Sequence, residues 1–187
     1  MLSIVIHSRS EKGGVDMYLN RTEFVTRESN EQVIEVLLRD YHQKIYLYCY
    51  NIMRNSHDAE DAAQEVFLKA FQSNKLLEID NKSAWLYKIA YHHCINKVKR
   101  RNLIEFIPFM DTNRSKEETD SSDFELSYIL SKLKPKERAL LVLRIVEDKG
   151  FAEIATILEI SIPTARKRFE RVKSKVKKII ERRMQDE

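Results

Sequence analysis

A chain of 187 residues with 43% apolar side chains can build one ordinary domain or two small ones, which excludes disorder over its whole length. Only 3 Gly and 3 Pro among 33% charged residues exclude a strand-and-turn protein and disfavour glycine-rich nucleotide loops, leaving an all-α fold of long helices with wet faces. A formal net charge of +4 is too small to demand a nucleic-acid partner, so the distribution of charge carries more than its sum.

Residues 1–30 show no sustained period and include Gly13-Gly14, which predicts a weakly ordered N-terminal extension. The apolar stretch in MLSIVIH is too short for a secretory signal, and no run of 18 apolar residues follows; a soluble, cytoplasmic chain without direct membrane insertion is expected. From Glu31, the spacing Val33, Ile34, Leu37, Leu38, Tyr41, Ile45, Tyr48, Cys49, Ile52 predicts one long amphipathic helix. Asp58 is the expected N-cap of a second helix, whose inner side runs Ala59, Ala62/Ala63, Val66/Phe67, Ala70/Phe71. Asp61, Gln64, Glu65 and Leu68 fall on its other face at i, i+3, i+4, i+7. After a polar loop over 72–82, Ser83 is expected to cap a third helix with the stripe Leu86, Ile89/Ala90, Cys94, Val98.

Residues 102–125 read as an acidic linker: from Asn102 to Leu126 there are seven acids against two bases. The domain boundary falls there, giving a first domain over 31–101 and a second over 126–187. In the second, a short helix over 126–133 precedes one that starts at Pro135 and ends near Gly150 as its C′ residue. Two helices remain, 151–158 and 162–183, the last with a buried face of Ile162, Ala165, Phe169, Val172, Val176 and Ile179/Ile180. A short helix, a tight turn and a longer basic helix are the order of a helix-turn-helix.

The chemistry follows from the charges. From Ser161 to Glu187 there are ten bases against four acids, and Ser161 is a good N-cap, so the last helix offers free N–H groups to phosphates. Thr164, Lys167, Arg168 and Arg171 face outward there, with Arg166 beside them, able to reach base edges or phosphate oxygens. From Lys82 to Arg101 there are six bases and no acid, interleaved with Trp85, Tyr87, Tyr91 and His92. Exposed rings beside a cationic track suit single-stranded nucleic acid, while the same pattern also suits rings that are core. The two cysteines, Cys49 and Cys94, lack CxxC or CxxH partners, and His92-His93-Cys94 point in different directions along a helix; neither a disulfide scaffold nor a metal site is expected. No nucleophile–base set or carboxylate pair stands out, so the chain is expected to be no enzyme and to need no cofactor.

Three strings then resemble one family in the right order. HDAEDAAQEVFLKAF (57–71) resembles the polymerase-binding helix of the sigma-70 family's second conserved region, and SAWLYKIAYHHCINKVKRR (83–101) its promoter-melting helix. LKPKERALLVLRIVEDKGFAEIATILEISIPTARKRFERV (133–172) resembles the fourth region. The short linker between them is the layout of extracytoplasmic-function (ECF) sigma factors. The resemblance implies a subunit that binds core RNA polymerase, recognises the minus-ten and minus-thirty-five promoter elements and initiates transcription of a specific regulon. It assigns Asp61, Gln64, Glu65 and Leu68 to the clamp helices of the polymerase β′ subunit. It assigns the loop 72–82 to a base flipped from the minus-ten element, with Asn81, Lys82, Trp85, Tyr87, Lys88, His92, Asn96, Lys97, Arg100 and Arg101 along the strand. Ser161, Thr164, Arg166, Lys167, Arg168 and Arg171 would read the minus-thirty-five element. An anti-sigma partner, able to hold the factor at the membrane, is implied by the resemblance alone.

Two alternatives remain at this level: a stand-alone helix-turn-helix regulator that binds operator DNA as a dimer, and a sigma-like protein-interaction module. Two positions depart from the family pattern. Glu159 stands in the helix-turn-helix turn where the family usually has Gly, so a non-Gly residue is expected at positive φ at a cost of about 1 kcal/mol. Pro163 replaces a usual Gly at the start of the recognition helix, tolerated in a first turn but removing one amide from phosphate binding.

Overall fold

The computed structural model describes the backbone of residues 14–104 and 121–186, with side chains placed over 31–101 and 125–185. Among these residues the fold is all-helical, as expected. α1 spans Gly14–Met53, α2 Ser56–Phe71 and α3 Lys82–Ile104; after the segment outside the described residues come α4 Ser121–Ser131, α5 Pro135–Ile145, α6 Phe151–Leu158 and α7 Ile162–Asp186. A 3₁₀ turn, Leu76–Glu78, interrupts the loop before α3.

Several boundaries differ from the sequence expectation for identifiable reasons. α1 begins at Gly14 rather than near residue 31, so part of the expected extension is helical. α4 likewise starts five residues before the predicted 126, within the expected linker, most of which lies outside the described residues. Asn55, not Asp58, caps α2: its side chain accepts from the Asp58 amide at 2.8 Å, leaving Asp58 as an acid in the first turn. Asn81 rather than Ser83 caps α3, with Oδ1 accepting from the Ala84 amide at 2.8 Å. Gly150 is not a C′ residue; it caps the start of α6 with extended backbone, and the left-handed position after α5 falls on Asp148 at φ 47°.

The first three helices form a bundle whose core is Ile45, Tyr48, Cys49 and Ile52 from α1, Ala59, Ala62, Ala63 and Val66 from α2, and Leu86, Ala90 and Cys94 from α3. Leu76 is fully buried and pins the loop to this bundle. The core continues through Leu130, Leu140, Leu143, Ile154, Ile157, Ala165 and Val172 from α4 to α7. Each large aliphatic side chain removed from water contributes about 1.5–3 kcal/mol, so this burial sets the positions of the surface residues. Phe71 and Ile162, expected on inner faces, are exposed at 56% and 42% because each sits at a helix end beyond its neighbours' reach.

The two halves pack together, α5 against α1 and α6 against α3. At the end of α1, Arg54 turns into the left-handed region at φ 59°, and the Arg138 guanidinium donates to the Ile52 carbonyl at 2.8 Å. A cation at a helix C-terminus satisfies a carbonyl that the helix itself leaves open. Burial, and then the adjacent Arg54 and Arg101 charges, lower the Arg138 pKa to about 10.

Within the second half, Glu137 closes the first turn of α5 by accepting from the Lys134 amide at 2.8 Å, and it accepts from Lys175 Nζ of α7 at 2.7 Å. Burial pushes this carboxyl up, but the Lys175 ammonium and the Lys134 amide outweigh it and hold its pKa below the ordinary value. A depressed folded-state pKa contributes stability above the unfolded pKa that is lost as pH falls through the folded value. Glu137→Gln is therefore expected to cost about 1 kcal/mol at neutral pH and little in strong acid, read as thermal midpoints at the two pH values.

Candidate nucleic-acid interface

The surface of α2 that the sequence singles out forms a groove with α1. Gln64 and Asp61 are exposed, Glu65 is half-buried, and Leu68 is 49% exposed, with Ile34, Leu38, His42 and Phe71 completing the walls. Sequence spacing places Leu38 and Phe71 with the apolar inner faces, whereas the core leaves both uncovered and they join this groove. An apolar floor edged by carboxylates suits an amphipathic helix with basic flanks. Asp61 has a second engagement: it lies 3.2 Å from Lys97 Nζ and 3.4 Å from His57 Nδ1, and its pKa is lowered chiefly by the Lys97 hydrogen bond.

Lys97 also meets Asp58 at 2.8 Å, and Arg101 meets Asp58 at 3.3 Å, so the acidic start of α2 neutralises the cationic end of α3. Trp85, Lys88, His92, Asn96, Lys97 and Arg100 line one cleft along α3 with Glu65 and Lys69. Trp85 is half-buried and lines this cleft; Asn96 and Arg100 are exposed. Lys82 donates to the Ile79 carbonyl at 2.8 Å and stabilises the loop, beside Asn81, which is exposed but occupied as a cap.

Tyr87 corrects the expected set. Its ring is fully buried, edge-on to Tyr48 with centroids 5.2 Å apart, and its hydroxyl donates to Glu147 of the second half. Burial first, and then Glu147, raise its pKa far above the usual phenol value. In this arrangement Tyr87 is core, with no ring surface open to solvent. Tyr91 is also buried, so of the three rings on α3 only Trp85 remains for stacking.

The α6–α7 pair has helix-turn-helix form. α6 ends in Glu159 at φ 53°, ψ 50°, the left-handed conformation expected there, and the Ile160 amide returns to the Ala155 carbonyl at 3.0 Å. Ser161 caps α7: its hydroxyl accepts from the Thr164 amide at 3.3 Å and pairs with the Thr164 hydroxyl at 2.7 Å. Ala165 and Val172 are buried, which turns Arg166, Lys167, Arg168 and Arg171 to solvent. Arg166 is partly occupied, lying over the Phe151 ring at 5.3 Å. Lys167, Arg168 and Arg171 form no intramolecular ion pair among the described residues and remain available to phosphates or guanine edges.

No group of three His, Cys, Asp or Glu among the described residues could hold a metal ion, and no described helix is long and apolar enough to cross a membrane. Cys49 and Cys94 are free and buried.

Residues 37–104 match the family described as Sigma-70 region 2, and residues 123–176 match Sigma-70, region 4. The ECF RNA polymerase sigma factor SigW of Bacillus subtilis is 26% identical over 88% of this chain and 97% of its own length. The sigma factor RpoE of Bartonella quintana, solved in complex with the anti-sigma factor NepR, superposes with a TM-score of 0.62 at 15% identity, covering 79% of this chain and 96% of that one. CnrH, solved in complex with the cytosolic domain of CnrY, superposes with a TM-score of 0.59 at 19% identity, covering 83% and 92%.

Proposed function

The chain belongs to the sigma-70 family, in its extracytoplasmic-function branch, and from that premise we propose how its surfaces divide the work of promoter recognition. A sigma factor is a specificity subunit, not an enzyme: it lends core RNA polymerase the ability to find and open a promoter. The groove of Asp61, Gln64, Glu65 and Leu68 docks on the β′ clamp helices. The α3 cleft around Trp85, Lys88, His92, Asn96 and Arg100 follows the melted minus-ten strand, by stacking on the indole and cation pairing along the backbone. Thr164, Lys167, Arg168 and Arg171, presented by the Ser161 cap, read the minus-thirty-five element.

The observation that carries this reading is that α7 buries Ala165 and Val172 while leaving its first three turns basic and exposed after a helix-turn-helix turn. An anti-sigma protein is the proposed controller, since the solved relatives RpoE and CnrH are each held by a partner of their own. The cytoplasm is the proposed compartment, with membrane tethering through that controller.

The test is retention on core enzyme. Purified core RNA polymerase is expected to hold the chain through gel filtration, and the complex to shift a promoter fragment that the chain alone shifts poorly. Tight, palindrome-dependent DNA binding by the chain alone would instead favour a stand-alone regulator.

A further inference from the structure

Glu159 does more than end α6. Its Oε1 lies 2.7 Å from Lys88 Nζ, and its Oε2 lies 2.9 Å from His92 Nε2, on the α3 face assigned above to the minus-ten strand. The imidazole contact is too bent for a well-formed hydrogen bond but close enough for charge attraction once the ring is protonated. Lys88 first, and then His92, hold the Glu159 carboxyl below its ordinary pKa. The left-handed backbone at φ 53° aims this side chain off the turn, so a conformation that favours glycine is occupied by a residue with a job for its carboxylate.

We propose that Glu159 is a clasp that holds the second half of the chain against the α3 cleft, standing in for a promoter phosphate until the chain opens on polymerase and DNA. Geometry requires the opening. The minus-ten and minus-thirty-five elements lie about 25 base pairs apart by their designation, roughly 85 Å along B-form DNA at about 3.4 Å per pair. A turn 2.7 Å from Lys88 cannot present α7 to the far element while α3 holds the near one.

Among the described residues, further ties share the interface: Tyr87 with Glu147, Arg54 with the Ser127 hydroxyl, Lys149 Nζ with Ser83 Oγ at 3.1 Å, and Arg138 with the Ile52 carbonyl. Against them, Arg54 and Arg101 of the first half lie close enough to Arg138 of α5 to repel its charge, which favours separation. Glu159 is distinguished among the ties because both of its partners are residues assigned to DNA. A phosphate backbone competes for the same two cations and so releases the clasp as it binds.

The promoter-coupled release rests on the function proposed above, whereas the closed state does not. The test uses the full chain with nitroxide labels at Glu60→Cys and Lys178→Cys, both exposed, Cys49 and Cys94 being buried. Electron–electron distance measurement is expected to give one narrow distribution for the parent. Glu159→Gln should raise the open fraction up to about fivefold, the range of an exposed ion pair. Glu159→Lys, which sets two ammoniums face to face, should raise it further, and Lys88→Glu added to Glu159→Lys should restore the narrow distribution. A broad parent distribution, an unchanged one in Glu159→Lys, or no restoration by the charge swap would each overturn the clasp. Glu159→Gln should also bind a single-stranded minus-ten oligonucleotide severalfold tighter without polymerase; equal binding overturns the competition with phosphate. Correct distances in a chain that supports no transcription with core enzyme would leave the clasp standing and remove the function.

Discussion

Replacing Lys167 and Arg168 together by Ala is expected to lower transcription from a promoter with a minus-thirty-five element by about 30-fold or more, because each contact to a base edge or phosphate is worth about 1–3 kcal/mol. Both side chains are exposed, and the helix is held from its opposite face by Ala165 and Val172, so the fold and the thermal midpoint should not change. The salt dependence of promoter binding should also flatten, by about one counterion for each phosphate contact removed. Arg166→Ala should do less to DNA, since Arg166 already lies over Phe151. If the double variant kept full promoter-directed transcription and an unchanged salt slope, α7 would have to be an interaction surface of another kind.

The second large effect belongs to the α1–α2 groove. Gln64→Ala with Leu68→Ala is expected to weaken association with core polymerase by about 30-fold or more, since a few partly apolar anchors dominate such interfaces at about 1–2 kcal/mol each. These two positions separate docking from folding better than Asp61 does. Asp61 also pairs with Lys97 and His57, so Asp61→Ala would alter the α2–α3 contact as well, leaving Lys97 to Asp58 alone. Undiminished co-purification of the Gln64→Ala, Leu68→Ala chain with core enzyme would remove this face from the polymerase interface.

The helices and the helix-turn-helix were legible in the sequence because their apolar spacings are sustained over several turns, as in Ile45–Ile52 of α1 and Ala165–Val172 of α7. The left-handed Glu159 was legible only through the resemblance, since the family usually has Gly at that turn position. The caps were less so. Asn55 and Asn81 each precede another capable residue, Asp58 and Ser83, and spacing alone cannot choose between them until the amide that needs a partner is seen.

The α3 aromatics show a different limit. Periodicity places Trp85, Tyr87 and Tyr91 within two turns but not which way the neighbouring half will close, and it is Glu147, 60 residues on, that takes the Tyr87 hydroxyl into the interior. The Lys88–Glu159 and Arg138–Ile52 ties have the same character: pairs far apart in sequence, joined by a domain contact that no local pattern encodes. The residues singled out on α2 and α7 are mostly exposed, Glu65 and Thr164 being half-buried, while those on α3 divide between core and cleft.

Run-off transcription from a pool of genomic fragments, with purified core polymerase in the presence and absence of the chain, tests the central claim most directly. The account predicts discrete transcripts only when both are present, from start sites that share paired upstream elements, and their loss with Lys167→Ala, Arg168→Ala. Identical transcripts with and without the chain would contradict it.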